Sequence, residues 1–240
     1  MEFSGLGFIP FFLTLWCMVW LSVSYTLAIT YSHAPPLMYI SATGNYYPEN
    51  ITFKIGFIGM ANAIVGLMFL QYKFIQLHVE AFGPRQPKIQ KILLVLGLMS
   101  CSGIMIFAMF ENAFFPMVHR IGAFIAFTCS GIYNLWQAII LYKAPGCRRA
   151  ICHIRTVSCV MALLGILILI GCQALFNINL SRGGNLQISP IIPRITEWLI
   201  MLFFLINILT YHQPMQRLTL TVSQKGFTIS RRAENQDSGV

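Results

Sequence analysis

Long apolar stretches separated by short polar gaps dominate the pattern of this 240-residue chain. Each stretch is roughly 17–26 residues long, enough for a helix that rises about 1.5 Å per residue to cross a hydrocarbon core about 30 Å thick. The six stretches cover residues 8–31, 51–72, 92–110, 117–142, 156–176 and 195–211. The pattern predicts an all-α, polytopic membrane protein, with a six-transmembrane-helix bundle over residues 1–212 and a polar, partly disordered cytoplasmic tail over residues 213–240.

The composition supports a membrane location. Hydrophobic residues make up 57% of the chain and charged residues 10%, and a soluble protein of this size could not shelter so much apolar surface. A net charge of +9 would suggest nucleic acid as the partner of a soluble domain, but here the charge flanks membrane spans. The predicted partners are membrane lipids and cytoplasmic proteins, and nucleic acid is not expected.

Positive charge is concentrated in alternate gaps and predicts the orientation of the bundle. Most Lys and Arg residues lie in the second gap, the fourth gap and the tail: Lys73, Arg85, Lys88, Lys91, Lys143, Arg148, Arg149, Arg155, Arg217, Lys225, Arg231 and Arg232. Short loops rich in Lys and Arg stay in the cytoplasm, so both termini are predicted to be cytoplasmic. The first stretch is expected to be a retained helix rather than a signal peptide, because it lacks a basic leader and is too long.

Two N-glycosylation acceptor triplets lie in gaps on the predicted lumenal side. They are Asn50-Ile51-Thr52 and Asn179-Leu180-Ser181, and such triplets accept glycans when they are exposed to the lumen. The sequence therefore predicts a glycoprotein. Asn50 is the favoured acceptor because Asn179 lies close to the end of the fifth apolar stretch.

Four residues near the lumenal helix ends are candidates for one polar cluster: Glu111, His119, Arg120 and Glu197. Charged groups at membrane depth are costly unless they pair or meet water. These four can meet if the third, fourth and sixth helices adjoin. The cluster would then be a structural salt-bridge group or, alternatively, a site that senses protons or binds a lipid headgroup.

Small residues recur every four positions in the fourth stretch, at Gly122, Ala126 and Ser130. In lipid, small side chains allow helix backbones to approach closely and pack. This stripe is therefore predicted to be a helix-packing face, with the lining of a pore as the alternative.

Catalytic and metal-binding motifs are not found in the sequence. It contains no nucleophile elbow, no zinc-protease motif, no phosphate-binding glycine loop and a single Asp, Asp237. The sequence therefore predicts a protein that is not an enzyme and needs no cofactor or metal.

Several short motifs follow one another along the chain. In order they are Tyr39-Ile40-Ser41-x-x-Gly44 with Pro48-Glu49, Val118-His119-x-x-Gly122-Ala123-Phe124-x-Ala126-Phe127 with Tyr133 and Gln137, Cys152-His153-Ile154-Arg155, Glu197-Trp198 and Leu218-Thr219-Leu220. The set resembles the DRAM proteins, the DNA damage-regulated autophagy modulators, within the wider FRAG, DRAM and SFK group of six-helix membrane proteins. The motifs span nearly the whole chain, and their order is more specific than any one of them.

The resemblance implies a regulator of autophagy at the lysosomal membrane, with a link to stress-induced apoptosis. One alternative is a lipid-handling protein that controls phospholipid distribution in the plasma membrane or another endomembrane. A third hypothesis is an ion channel. The residues themselves do not identify the molecular activity behind any of these roles.

Overall fold

The computed structural model describes residues 2–77, 86–142, 148–181, 191–223 and 226–231. Six helices in these ranges are long and apolar enough to cross a membrane, which confirms the predicted six-helix fold. The elements are β1 (Glu2–Ser4), α1 (Phe8–Thr30), a 3-10 helix (Ser41–Gly44), α2 (Glu49–Leu77), α3 (Gln86–Met109), α4 (Pro116–Leu141), α5 (Arg149–Ser181), α6 (Ile191–Leu209), α7 (His212–Met215), β2 (Leu218–Ser223) and β3 (Gly226–Arg231). The side of the membrane on which each end lies stays a prediction.

Several helices extend beyond the apolar stretches. α2 has 29 residues and α5 has 33, which correspond to lengths of about 44 and 50 Å at the α-helical rise. A bilayer is about 40–45 Å thick with its headgroups, so these helices reach through the headgroup layer. The apolar stretches mark only the hydrocarbon part of each span. Cationic residues such as Lys73 lie in the helix just beyond a stretch, because their long side chains can extend to the headgroups.

The helices form a ring in which consecutive helices are neighbours and α6 returns to contact α1. Short connections favour this order, because sequential helices then pack antiparallel to each other. α1 and α5 lie toward the outside, with apolar side chains such as Phe11, Phe12 and Leu167 more than half exposed. An apolar surface of this kind is solvated by lipid.

The contact between α3 and α4 depends on small residues. A Cβ atom added to Gly103 would lie 2.5 Å from the backbone nitrogen of Ala126, and one added to Gly122 would lie 2.7 Å from that of Phe107. Ser100 Oγ donates a hydrogen bond of 2.9 Å to the Ala126 carbonyl. Close backbone approach of this kind is how helices associate in lipid, where the hydrophobic effect does not drive them together.

A small antiparallel sheet joins the two ends of the described chain. β2 lies between β1 and β3, with Leu220 opposite Phe3 on one side and Ile229 on the other. The run Leu218-Thr219-Leu220-Thr221 alternates apolar and polar residues with the two-residue period of a strand. The sequence-based expectation of a polar tail over residues 213–240 did not include this strand. Within that tail, residues 224–225 and 232–240 lie outside the described residues.

The sheet brings the start and the end of the described chain to the same end of the bundle. His212 Nδ1 lies 2.9 Å from the carbonyl oxygen of Gly7, which adds a second connection between the two segments. We call this side of the bundle the terminal end, and the opposite side, which carries the connection from α1 to α2, the loop end.

Replacement of Gly103 by Ala tests the close approach of α3 and α4. The added methyl group has no room beside Ala126, so we expect the free energy of unfolding to fall by about 1–3 kcal/mol, the usual cost of overpacking. Unfolding by SDS in mixed micelles would measure it. Gly66→Ala is the matched control, because a Cβ there meets nothing within 4 Å and Ala favours helix; equal losses in both variants would contradict the packing role.

Candidate functional site

At the loop end, the connection between α1 and α2 folds back onto the first turns of α6. The Glu197 carboxylate accepts hydrogen bonds from the backbone nitrogens of Ile40, at 2.9 Å, and Ser41, at 3.4 Å. Trp198 Nε1 donates to the Met38 carbonyl, and Arg194 Nη1 donates to the Leu37 carbonyl, each at 2.9 Å. Residues 194, 197 and 198 share one helix face because they are three and four positions apart, so a single face of α6 holds the loop.

α1 and α2 hold the other side of this loop. Tyr25 Oη donates to the Pro36 carbonyl at 2.6 Å, and the Tyr25 ring meets the Trp198 ring edge to face at 5.7 Å. His33 Nδ1 lies 2.7 Å from Oε1 of Glu49, whose side chain is fully buried. The connection from His33 to Glu49 is therefore a cap that joins α1, α2 and α6.

The predicted polar cluster is distributed over separate contacts. Glu197 binds the loop, whereas Glu111 Oε1 pairs with Lys54 Nζ at 2.5 Å and lies 3.4 Å from Asn50 Nδ2. His119 is buried, with Nδ1 2.8 Å from the Phe110 carbonyl oxygen, and Arg120 is exposed. The four residues share the loop end of the bundle, but each has surroundings of its own.

Electrostatic effects at this end act on Glu111 and Tyr39. Partial burial alone would raise the pKa of the Glu111 carboxyl, but the hydrogen bonds and charge of Lys54, with Asn50, hold that pKa below its usual value of 4.5. Burial raises the pKa of Tyr39, and the neighbouring Glu197 carboxylate adds to the rise while Arg194 opposes it. Glu111 therefore stays ionised beside Lys54 in mildly acidic surroundings.

The two predicted glycosylation sites both fall within helices. Asn50 is in the first turn of α2 and is partly buried against Glu111. Asn179 is two residues before the end of α5, which continues past the apolar stretch to Ser181. Modification of either residue stays a prediction.

The predicted packing stripe on α4 has two environments. Gly122 and Ala126 lie against α3, as described above. Ser130, one turn further along, lines a cavity inside the bundle. The stripe therefore leads from a tight helix contact to an internal space.

This cavity, between α2, α3, α4 and α6, has a volume of about 70 Å³. One water molecule needs about 10–15 Å³ by the same measure, so the space would hold about five. Most of its wall is apolar, formed by Phe57, Met60, Ile64, Leu67, Met68, Ile104, Phe107, Ala126, Phe127, Met201, Phe204, Leu205 and Ile208. Its polar groups are Ser100, Ser130, Tyr133, Asn134 and Tyr211, and the last three belong to the terminal half of the bundle.

Arg155 lies beside the polar side of this cavity and is fully buried. Its Nε donates to Thr210 Oγ1 at 2.6 Å, and its guanidinium carbon lies 4.0 Å from the centre of the Tyr211 ring. Tyr211 Oη in turn donates to Asn134 Oδ1 at 3.2 Å. Both terminal nitrogens of Arg155 are buried without a hydrogen-bond partner, which is an unusual state for a cation in a protein interior.

The sequence-based expectation places Arg155 in a basic cytoplasmic gap, so its burial is a finding of the structure. The spacing of the sequence already indicated this burial, because Cys152, Arg155, Cys159 and Ala162 are three and four positions apart. In the structure all four are buried. Such spacing defines one face of a helix. The small residues around Arg155 let this face of α5 pack against α6, where Cys159 Sγ meets Asn207 Oδ1 at 3.1 Å.

Three buried glutamines connect α2, α3 and α4 in the same half of the bundle. Gln137 Nε2 donates to Gln90 Oε1 at 2.8 Å, and Gln71 Nε2 donates to Gln137 Oε1 at 3.4 Å. Gln71 Oε1 and Gln90 Nε2 have no partner. The terminal half of the core thus contains polar side chains whose hydrogen-bonding groups are only partly paired. Within the described residues no group of His, Cys, Asp or Glu is arranged to hold a metal ion.

Replacement of Glu197 by Ala tests the cap. The backbone nitrogens of Ile40 and Ser41 would lose their acceptor, so we expect the loop to be destabilised by about 1–3 kcal/mol. Hydrogen–deuterium exchange over residues 38–41 should increase by a corresponding factor. Glu197→Gln keeps an acceptor oxygen and should show a smaller increase. Unchanged exchange in the Ala variant would exclude Glu197 as an anchor of the loop.

Replacement of Lys54 by Met tests the ion pair with Glu111. Because folding lowers the pKa of Glu111, the pair stabilises the folded chain above its usual value of 4.5, and this stabilisation is lost as the pH falls through the lowered pKa. We expect Lys54→Met to be less stable than the parent by roughly 0.2–1 kcal/mol at pH 7 and pH 5.5, with the difference shrinking as the pH falls through the lowered pKa of Glu111. Thermal unfolding in detergent would measure it, and exposed Arg120→Met is the control; a pH-independent difference would argue against the pair.

Comparison with known proteins assigns the family. The model of the Frag1/DRAM/Sfk1/Cwh43P N-terminal domain matches residues 5–216. DNA damage-regulated autophagy modulator protein 1 from Homo sapiens is 32% identical over 227 residues, covering 91% of this chain and 94% of the relative. The protein of the same name from Xenopus laevis is 30% identical (92% and 95% covered), and modulator protein 2 from Bos taurus is 29% identical (91% and 87% covered). No solved structure is significantly similar. The chain therefore belongs to the DRAM family, within the Frag1/DRAM/Sfk1 group of membrane proteins.

Proposed function

We propose that this protein regulates autophagy from the lysosomal membrane, without catalysing a reaction, and that it links cellular stress to apoptosis. The observation that carries the proposal is its similarity, over more than nine-tenths of its length, to proteins named as autophagy modulators. Its sequence also lacks the catalytic motifs that an enzymatic role would need.

The architecture suggests how a regulator of this kind works. The cap at the loop end is held by α1, α2 and α6, and its backbone groups at Pro36, Leu37, Met38, Ile40 and Ser41 are already engaged by side chains. The terminal end carries the three-stranded sheet and exposed basic residues such as Lys88 and Lys91. We therefore place the binding surface for cytoplasmic protein partners at the terminal end, which the distribution of charge assigns to the cytoplasm.

A second candidate role is the control of phospholipid distribution. The cavity among α2, α3, α4 and α6 favours it, because an apolar space with a few polar groups is the usual form of a small-molecule site. This role belongs to the plasma membrane or to an endomembrane other than the lysosome. The two candidates therefore differ in location as well as in readout.

Deletion of the gene with rescue by tagged protein separates the two roles. The regulatory role predicts tagged protein on lysosomes, autophagic flux lowered about two-fold or more in deleted cells, and weaker caspase activation after DNA damage, all restored by the wild-type chain. Endoglycosidase treatment of wild type and Asn50→Gln in the same cells would test lumenal exposure of that residue. Protein absent from lysosomes with unchanged flux would contradict the regulatory role, and altered leaflet exposure of phospholipids would favour the second.

A further inference from the structure

We propose that the bundle binds one anionic phospholipid, with its phosphate at Arg155 and the end of an acyl chain in the internal cavity. The inference names a ligand for the second candidate role above, but it is tested on purified protein. Its failure is therefore distinguishable from the failure of either cellular role.

The buried charge of Arg155 is unbalanced within the described residues. The guanidinium is fully buried, yet only Nε has a hydrogen-bond partner, and both terminal nitrogens have none. A buried cation is normally paired with an anion, because removal from water is costly. The carboxylates whose side chains the structure describes, Glu49, Glu111 and Glu197, lie at the loop end and contact His33, Lys54 and the cap. An anion from outside the chain would complete the site.

The depth of Arg155 along α5 matches that of a phospholipid phosphate. Arg155 is six residues after Arg149, where α5 begins, so it lies about 9 Å along the helix from the terminal end. α5 extends beyond the hydrocarbon core at its ends, and this depth corresponds to the phosphate and ester layer of the leaflet at the terminal end. A phospholipid of that leaflet carries its phosphate at this level and directs its chains toward the bilayer centre, where the cavity lies.

Tyr211 connects the Arg155 cation to the cavity. One face of its ring covers the Arg155 guanidinium, and the same residue lines the cavity with Tyr133 and Asn134. Because the guanidinium is enclosed, binding requires the Tyr211 side chain to swing away from it. The contact between ring and cation is then replaced by charge-assisted hydrogen bonds from the two terminal nitrogens to phosphate oxygens, which suit the fork geometry of Arg.

The cavity itself suits part of a chain. Its volume of about 70 Å³ and its apolar walls accommodate a few methylene groups rather than a whole lipid. The stacked rings of Phe127 and Phe204, 5.9 Å apart, form its wall between α4 and α6, and both are partly exposed. A chain would enter the cavity between these two rings.

The test uses the full-length chain, purified in detergent and stripped of lipid. It is titrated separately with dioleoyl phosphatidic acid, dioleoyl phosphatidylcholine and inorganic phosphate, and binding is followed by native mass spectrometry and thermal unfolding. We expect phosphatidic acid to bind at least about tenfold more tightly than phosphatidylcholine, and phosphate alone to have no effect. Arg155→Gln should weaken phosphatidic acid binding by about tenfold or more, the effect of losing charge-assisted hydrogen bonds.

Arg149→Gln is the matched control, because Arg149 is an exposed cation at the start of the same helix. Its loss should change phosphatidic acid binding by less than about threefold, as for a screened surface charge. Equal binding of phosphatidic acid to Arg155→Gln and to wild type would overturn the proposal. So would equal affinity of wild type for the two lipids, while stabilisation by phosphate alone would replace the lipid with a soluble anion.

Photo-crosslinking of the wild-type protein covers the case in which Arg155→Gln does not fold. Phosphatidic acid with a diazirine near the end of one chain should label buried cavity residues such as Met201 and Leu205, and the label should be displaced by unmodified phosphatidic acid but not by phosphatidylcholine. Labelling confined to outward residues such as Leu167 would show ordinary contact with bulk lipid and would reject the proposal.

Discussion

Polar groups inside a membrane have to be satisfied by the protein itself, and this constraint explains most of the structure. Helices satisfy their own backbone groups, which is why six of them carry the chain through the apolar region. Where the backbone leaves the helical state, as between α1 and α2, side chains supply the missing partners: Glu197, Trp198 and Tyr25 bind backbone groups of the loop. The cap thus meets the same need for backbone hydrogen-bond partners that favours helices.

The constraint also separates the two ends of the bundle. At the loop end, the described acidic side chains have partners close by, and Glu111 with Lys54 remains paired in mildly acidic surroundings. Buried atoms without a hydrogen bond occur at both ends: in Glu49, Asn50, Asn112 and Arg194 at the loop end, and in Gln71, Gln90 and Arg155 in the terminal half. Arg155 differs from the others because it is a fully buried cation whose two terminal nitrogens both lack a partner. Because such a charge is costly, it is the feature that points to a ligand.

The packing of the bundle follows from small side chains rather than from hydrophobic segregation. Apolar residues cover both the lipid-facing and the inward-facing sides of the helices, so hydrophobicity alone does not tell the two apart. Gly103 and Gly122 bring α3 and α4 together, whereas the larger Phe57, Phe107 and Phe127 leave space between other helices. Side-chain size along the same helices thus determines both where two helices touch closely and where a cavity remains.

Local pattern was enough to predict the six helices, because an apolar run of sufficient length has one stable form in lipid. The motifs from Tyr39 to Glu49 and at Glu197-Trp198 were also visible, although their direct contact was not. The partners of Glu111 and Glu197, the burial of Arg155 and the pairing of β1 with β2 required the folded chain. Each joins residues far apart in sequence: Arg155 meets Thr210, Glu197 meets Ile40 and Phe3 pairs with Leu220. Periodicity identifies the face of a helix that is buried, but the neighbour it meets depends on how all six helices pack together.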